Sequence, residues 1–142
     1  MTIYADTSFL VSHYLEDAHS LEADRRIAQR PLVFLTPFLR AELANAVFQQ
    51  VFRGRISTSE AQLALKNFEQ DCAAGVWAKV SLPEMAFETC ADLARRHVGK
   101  LGVRTLDSLH VACAMELRAE KFWTFDDRQA RLAEAVGLDT SA

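Results

Sequence analysis

Four carboxylates in this chain have the type and placement for shared chemistry. They are Asp6 in "IYADTSFL", Glu42 in "TPFLRAELANAV", Asp107 in "RTLDSLHVACAM" and Asp126 in "FWTFDDRQ". Gathered in one pocket they would repel one another and drive each other's pKa upward unless a cation neutralised them. A hard divalent ion such as Mg2+ or Mn2+ does so, since it prefers carboxylate oxygens and keeps waters available for reaction.

Each acid also has a plainer role open to it. Asp6 can cap the helix that follows it, with Ser8 helping, and the tripeptide "DTS" recurs at 139–141, where the tail reads as loose. Glu42 shares a polar helical stripe with Asn45, Gln49 and Arg53. Asp126 stands three residues before Gln129, which is the spacing of a capping box. Asp107 is the least easily explained this way: a first-turn acid favours the helix dipole, yet its helix is apolar on nearly every side. His110 shares the Asp107 face and reads as a hydrogen-bonded core histidine or a support for Asp107 rather than a metal ligand. Thr7 or Ser8 could add a hydroxyl to the site or merely cap, and His13, His19 and His97 read as surface residues.

The elements that must carry these side chains alternate in type. Apolar runs predict strands at 2–5, 32–35, 76–80 and 121–125. Between them, helical patterns begin at Thr7 and cover 21–29 and 37–53, the latter opened by Thr36 and Pro37 and closed by Gly54. "STSE" at 57–60 is a capping box for a helix to about Cys72. Pro83 is expected to open a helix to Val98, with Gly99 and Gly102 breaking the chain before the Asp107 helix, and 127–136 forms a short helix ended by Gly137. Strands separated by helices imply an α/β domain with a mainly parallel sheet, whose ligand site lies beyond the carboxyl ends of its strands. Asp6 and Asp126 each directly follow an expected strand, so the topology can bring them together across 120 residues.

Length and composition set limits. The 142 residues suit one domain without repeats or linkers, and half of them are apolar. Cys72, Cys90 and Cys113 lie far apart without a CxxC pair, which argues against a thiolate zinc site and for reduced cysteines in a cytoplasmic protein. No membrane span or leader is expected. The net charge of −3 disfavours whole-molecule attraction to nucleic acid but leaves local patches at Arg25-Arg26, Arg53 with Arg55, Arg95-Arg96 with Lys100, and Arg104.

Taken jointly, "IYADTSFLVSHYLED", "TPFLRAELANAV", "RTLDSLHVACAMELRA" and "FWTFDDRQARLAEAVGL" resemble the PIN-domain ribonucleases, in particular the VapC-type toxins of bacterial toxin–antitoxin pairs. The likeness spans nearly all of residues 1–142; only about 55–100 lacks motifs of its own. It implies a single PIN domain: a three-layer α/β/α unit with four to five mainly parallel strands. It implies that Asp6, Glu42, Asp107 and Asp126 are both catalytic residues and ligands of one or two Mg2+ or Mn2+ ions, with Ser8, Asp127 and His110 as secondary candidates. The activity implied is RNA phosphodiester hydrolysis by a metal-activated water, with Arg40, Arg53, Arg55 or Arg104 holding flanking phosphates. It further implies a VapB-type antitoxin, whose amphipathic helix would lie in an apolar groove and send an arginine to the acids, and a homodimer. Phe48 and Phe52 are groove or dimer candidates, although core packing is the plainer expectation.

Three rival readings fit the acids less well. A haloacid-dehalogenase-type phosphatase needs a second acid two residues after the first, where this chain has Ser8. A receiver domain needs an acid pair before Asp6 that is missing. A catalytically silent PIN-type module binding RNA or protein would have less need of all four acids.

Overall fold

The computed structural model describes residues 1–142. Its four strands are β1 (Thr2–Ala5), β2 (Leu32–Leu35), β3 (Trp77–Lys79) and β4 (Lys121–Trp123), all parallel, in the spatial order β3-β2-β1-β4. In register, Ile3 faces Val33 on one side and Lys121 on the other, and Val33 faces Trp77. Ile3, Tyr4 and Ala5 are fully buried, as expected of a central parallel strand covered on both faces.

The eight helices are α1 (Thr7–Tyr14), α2 (Ser20–Ile27), α3 (Pro37–Phe52), α4 (Thr58–Ala73), α5 (Ala86–Leu93), α6 (Gly99–Leu101), α7 (Thr105–Glu116) and α8 (Asp127–Ala135). Strand order decides their layers. The crossovers β1 to β2 and β2 to β3 run one way along the sheet and β3 to β4 runs back, so right-handed connections place α1–α4 on one face and α5–α7 on the other. Packing agrees: α1 packs on α2, α3 and α4, whereas α7 packs on α5 and α8. The α/β/α expectation is borne out with four strands. On one face of the sheet Tyr4 stacks on Phe122 with ring centres 5.6 Å apart, and on the other Phe9 packs on Trp123 at 5.3 Å.

Local signals place the helix starts. Thr36 accepts the Leu39 N–H ahead of Pro37, and Ser57 and Glu60 exchange both bonds of a capping box. Helix α7 explains the apolar stretch around Asp107: the seven residues Ser108–Ala114 are all buried, while Asp107 sits in the first turn just outside that run.

Several expectations are corrected. Pro83 starts a turn closed by Ala86 N–H on its carbonyl, and α5 begins only at Ala86. Gly99 does not break the chain: helix continues through a π-helical turn at Ala94–Val98 into α6, and Gly102, at φ +68°, ends it. β4 ends at Trp123 rather than Phe125 because the next donors leave the ladder, Phe125 N–H going to Ser8 Oγ and Asp126 N–H to Thr124 Oγ1. The tail is not loose. Asp139 pairs alongside Lys121, its carbonyl accepts Phe122 N–H at 2.9 Å, and the Ser141 carbonyl accepts Trp123 Nε1–H at 3.0 Å, covering the free edge of β4. Phe48 and Phe52 do not fill the core; Phe52 is 87% exposed. No helix is long and apolar enough to cross a membrane.

Candidate active site

At the carboxyl ends of β1 and β4 the chain turns into α1 and α8, each capped by an acid. Asp6 Oδ1 accepts from Phe9 N–H at 3.0 Å and Ser8 Oγ at 2.7 Å, and its Oδ2 accepts from Thr124 Oγ1 at 2.5 Å. Asp6 thus does cap α1, and it is buried while doing so. Burial pushes its carboxyl up from the ordinary 3.8, opposed in part by His110 and by these donors. Ser8 reaches both ends of the turn, since it also accepts Phe125 N–H at 2.9 Å.

Glu42, a turn and a half into α3, meets α1 and α7 together. Its Oε1 accepts from Thr7 Oγ1 at 3.0 Å and pairs with His110 Nε2. That contact holds the Glu42 carboxyl below its usual range. His110 is buried between Phe38, stacked on it at 4.4 Å, and Tyr4, whose hydroxyl meets Nδ1 at 2.8 Å. The histidine therefore supports Glu42, although its helical spacing pointed to Asp107.

Asp107 and Asp126 form a second pair. Gln129 Nε2 donates to Asp107 Oδ1 at 3.0 Å, and Gln129 N–H donates to Asp126 Oδ1 at 2.9 Å. Burial, then the charge of Asp126, pushes the Asp107 carboxyl up. Both acids line a cleft of about 420 Å³ with Asp127, Arg104, Arg128, Gly102 and Phe125. Asp6 and Glu42 lie outside this lining; Thr124 links Asp6 to it, donating to Asp6 and accepting from Asp126 N–H.

No three His, Cys, Asp or Glu side chains form a ready metal cluster, and of the four acids only Asp107 and Asp126 share the cleft. The donor set nevertheless suits a hard divalent cation. Asp107 and Asp126 each have an Oδ2 free of protein hydrogen bonds beside one cleft, and Mg2+ needs only one or two carboxylates when waters complete its shell. A cation there would also relieve the charge repulsion that raises Asp107.

Of the four arginines expected near phosphate, Arg104 alone lines this cleft. Arg40 is paired with Glu69 at 2.8 Å in a separate depression beside Lys79. Arg53 and Arg55 lie past the far end of α3, about 25 Å along its axis from Thr36.

A family model described as PIN domain matches residues 3–135. The chain belongs to the PIN domain family. The fold of this PIN domain is shared by solved structures of low identity. Mycobacterium tuberculosis VapC20, described as a sarcin-ricin loop cleaving toxin, superposes with a TM-score of 0.73 at 18% identity, covering 98% of each chain. FitAcB from Neisseria gonorrhoeae gives 0.71 at 15% identity over 99% of this chain and 96% of its own. VapBC2 from Rickettsia felis, bound to a DNA fragment from their promoter, gives 0.67 at 14% identity over 99% and 98%. No curated protein sequence matches the chain.

Four residues around the candidate site carry no motif of their own in the sequence: Tyr4, Thr124, Gln129 and Arg128. Tyr4 looked like an ordinary strand residue, and Gln129 looked like a local cap. Thr124 and Arg128 flank "FDD", so adjacency to Asp126 was the one available signal.

Proposed function

We propose that this PIN domain is a metal-dependent endoribonuclease, the toxin of a type II toxin–antitoxin pair, with residues 1–142 working as one unit. The observation that carries the reading is the cleft in which Asp107 and Asp126 each keep one carboxylate oxygen free beside two guanidinium groups, Arg104 and Arg128, that form no salt bridge. A phosphodiester with its cation is the ligand class that such mixed charge accommodates.

Asp107 and Asp126 would hold Mg2+ or Mn2+, one ion or two, with Asp6 behind them and Glu42 at the edge; Asp127 is a further candidate ligand. Bound there, the ion supplies Lewis-acid chemistry: it lowers the pKa of water and offsets charge on the reacting phosphate. The chain's own residues do the positioning. Arg104 and Arg128 hold the phosphate and its neighbour. Ser8 and Thr124 fix Asp6 in one rotamer, and His110 with Thr7 keeps Glu42 ionised and oriented.

The partner proposed is a VapB-type antitoxin. Support comes from the family, from the structural likeness to VapBC2, and from the exposed Phe48 and Phe52 on α3 with Leu63 on the adjoining α4, a surface suited to an amphipathic helix. A cytoplasmic homodimer completes the reading.

The test is cleavage of single-stranded RNA by the purified protein with Mn2+ or with EDTA. Wild type should cut only with the metal, and Asp107→Asn should lose about 100-fold or more of the rate. Equal metal-dependent cleavage by both proteins refutes the role of Asp107. Turnover of a phosphomonoester but not of RNA favours a phosphatase instead.

A further inference from the structure

Gln129 joins the two acids of the cleft. The spacing of Asp126 and Gln129 predicts a capping box, in which the glutamine side chain returns to the Asp126 backbone N–H. Only half of it forms. Asp126 Oδ1 accepts Gln129 N–H, but Asp126 N–H goes to Thr124 Oγ1 at 2.9 Å. The released glutamine side chain, 3% exposed, crosses to α7 and donates to Asp107 Oδ1 at 3.0 Å. Its Oε1 is buried without a partner, a cost a solvated glutamine would avoid. The amide cannot turn over to relieve it, because a carboxylate of Asp107 accepts and does not donate.

We infer that Gln129 is a positioning residue for the proposed cation site: its backbone N–H and side-chain amide take one oxygen each from Asp126 and Asp107, and so hold the other two oxygens in place for a divalent cation. One residue thereby fixes two carboxylates from two successive helices, α7 and α8. Partners of this kind orient ligands and lower the ordering cost of binding. The inference rests on the cation site proposed above.

The experiment titrates Mn2+ alone into wild type, Gln129→Met and Gln129→Asn, following the free-ion electron paramagnetic resonance signal, with thermal melts in EDTA run alongside. Methionine matches the glutamine in length and removes the orphaned oxygen; asparagine keeps the amide but is one methylene too short. Both retain the backbone bond to Asp126. The expected result is Mn2+ binding weakened about 10- to 100-fold in each, a melting midpoint in EDTA close to wild type, and a fall in kcat with KM for RNA unchanged. Should Gln129→Met fail to fold, Gln129→Asn gives the decisive comparison. Either folded variant binding Mn2+ as tightly as wild type overturns the inference while leaving the proposed function standing. A wild type that takes up no Mn2+ overturns both.

Discussion

His110 meets Glu42 through Nε2 and Tyr4 through Nδ1, so one buried ring connects the central strand to an acid of the candidate site. Ionised Glu42 can only accept, which places a hydrogen on Nε2. Removing the ring strands two polar groups and opens a cavity beneath Phe38. His110→Ala should therefore lose about 2–4 kcal/mol of stability in urea unfolding. Tyr4→Phe removes a single bond and should lose about 1 kcal/mol. Equal losses in the two variants would contradict this arrangement.

Asp6 makes stability depend on pH. Folding raises its carboxyl above the ordinary 3.8, so between that value and the raised one the native state binds more protons than the unfolded chain. The Asp6 contribution then falls as pH rises through the window. In EDTA, acidification from neutrality towards the ordinary carboxylate range should close part of the stability gap between wild type and Asp6→Asn, with the variant the more stable at neutral pH. A gap that widens on acidification would reverse the sign. Glu42, whose carboxyl is lowered, works oppositely: its stabilisation is present above its ordinary 4.5 and lost as pH falls below that.

Arg118, just past the end of α7, is held at φ +55°, and Arg30, after α2, at φ +54°. Left-handed backbone strains a side-chain-bearing residue and suits glycine. Arg118→Gly should stabilise the protein by about 0.5–1 kcal/mol in chemical denaturation. A loss of stability would show that the arginine side chain contributes more than its backbone strain costs.

Truncation after Leu138 tests the docked tail. It removes the acceptors of Phe122 N–H and Trp123 Nε1–H and bares the edge of β4. A loss of about 1–3 kcal/mol is expected in thermal or urea unfolding, with increased self-association seen by light scattering. An unchanged transition would mean that these bonds contribute nothing net.

Exposed Phe48, Phe52 and Leu63 mark the surface proposed for the antitoxin. Phe52→Ser should leave the melting midpoint within about 2 °C, because surface substitutions change stability little. The same variant should weaken capture of a VapB-type helix, measured by calorimetry; undiminished affinity would place the partner elsewhere.

Much of this protein is written locally. Alternating apolar strands and helices, the caps at Asp6, Thr36 and Ser57, and the closing glycines at 54 and 137 depend on backbone groups within a few residues, where spacing and geometry are equivalent. Placing the acids near strand ends likewise needed only element order and the parallel topology rule. Bond partners between elements were decided by the tertiary structure. His110 stands one turn from Asp107, yet it bonds to Glu42, because α7 is set against β1 and α3 with that face inward. Gln129 has the spacing of a cap, yet it reaches Asp107, because Thr124 already satisfies the Asp126 N–H and α8 packs on α7. A hydrogen bond extends only about 3 Å, so its partner is chosen by how helices and strands dock.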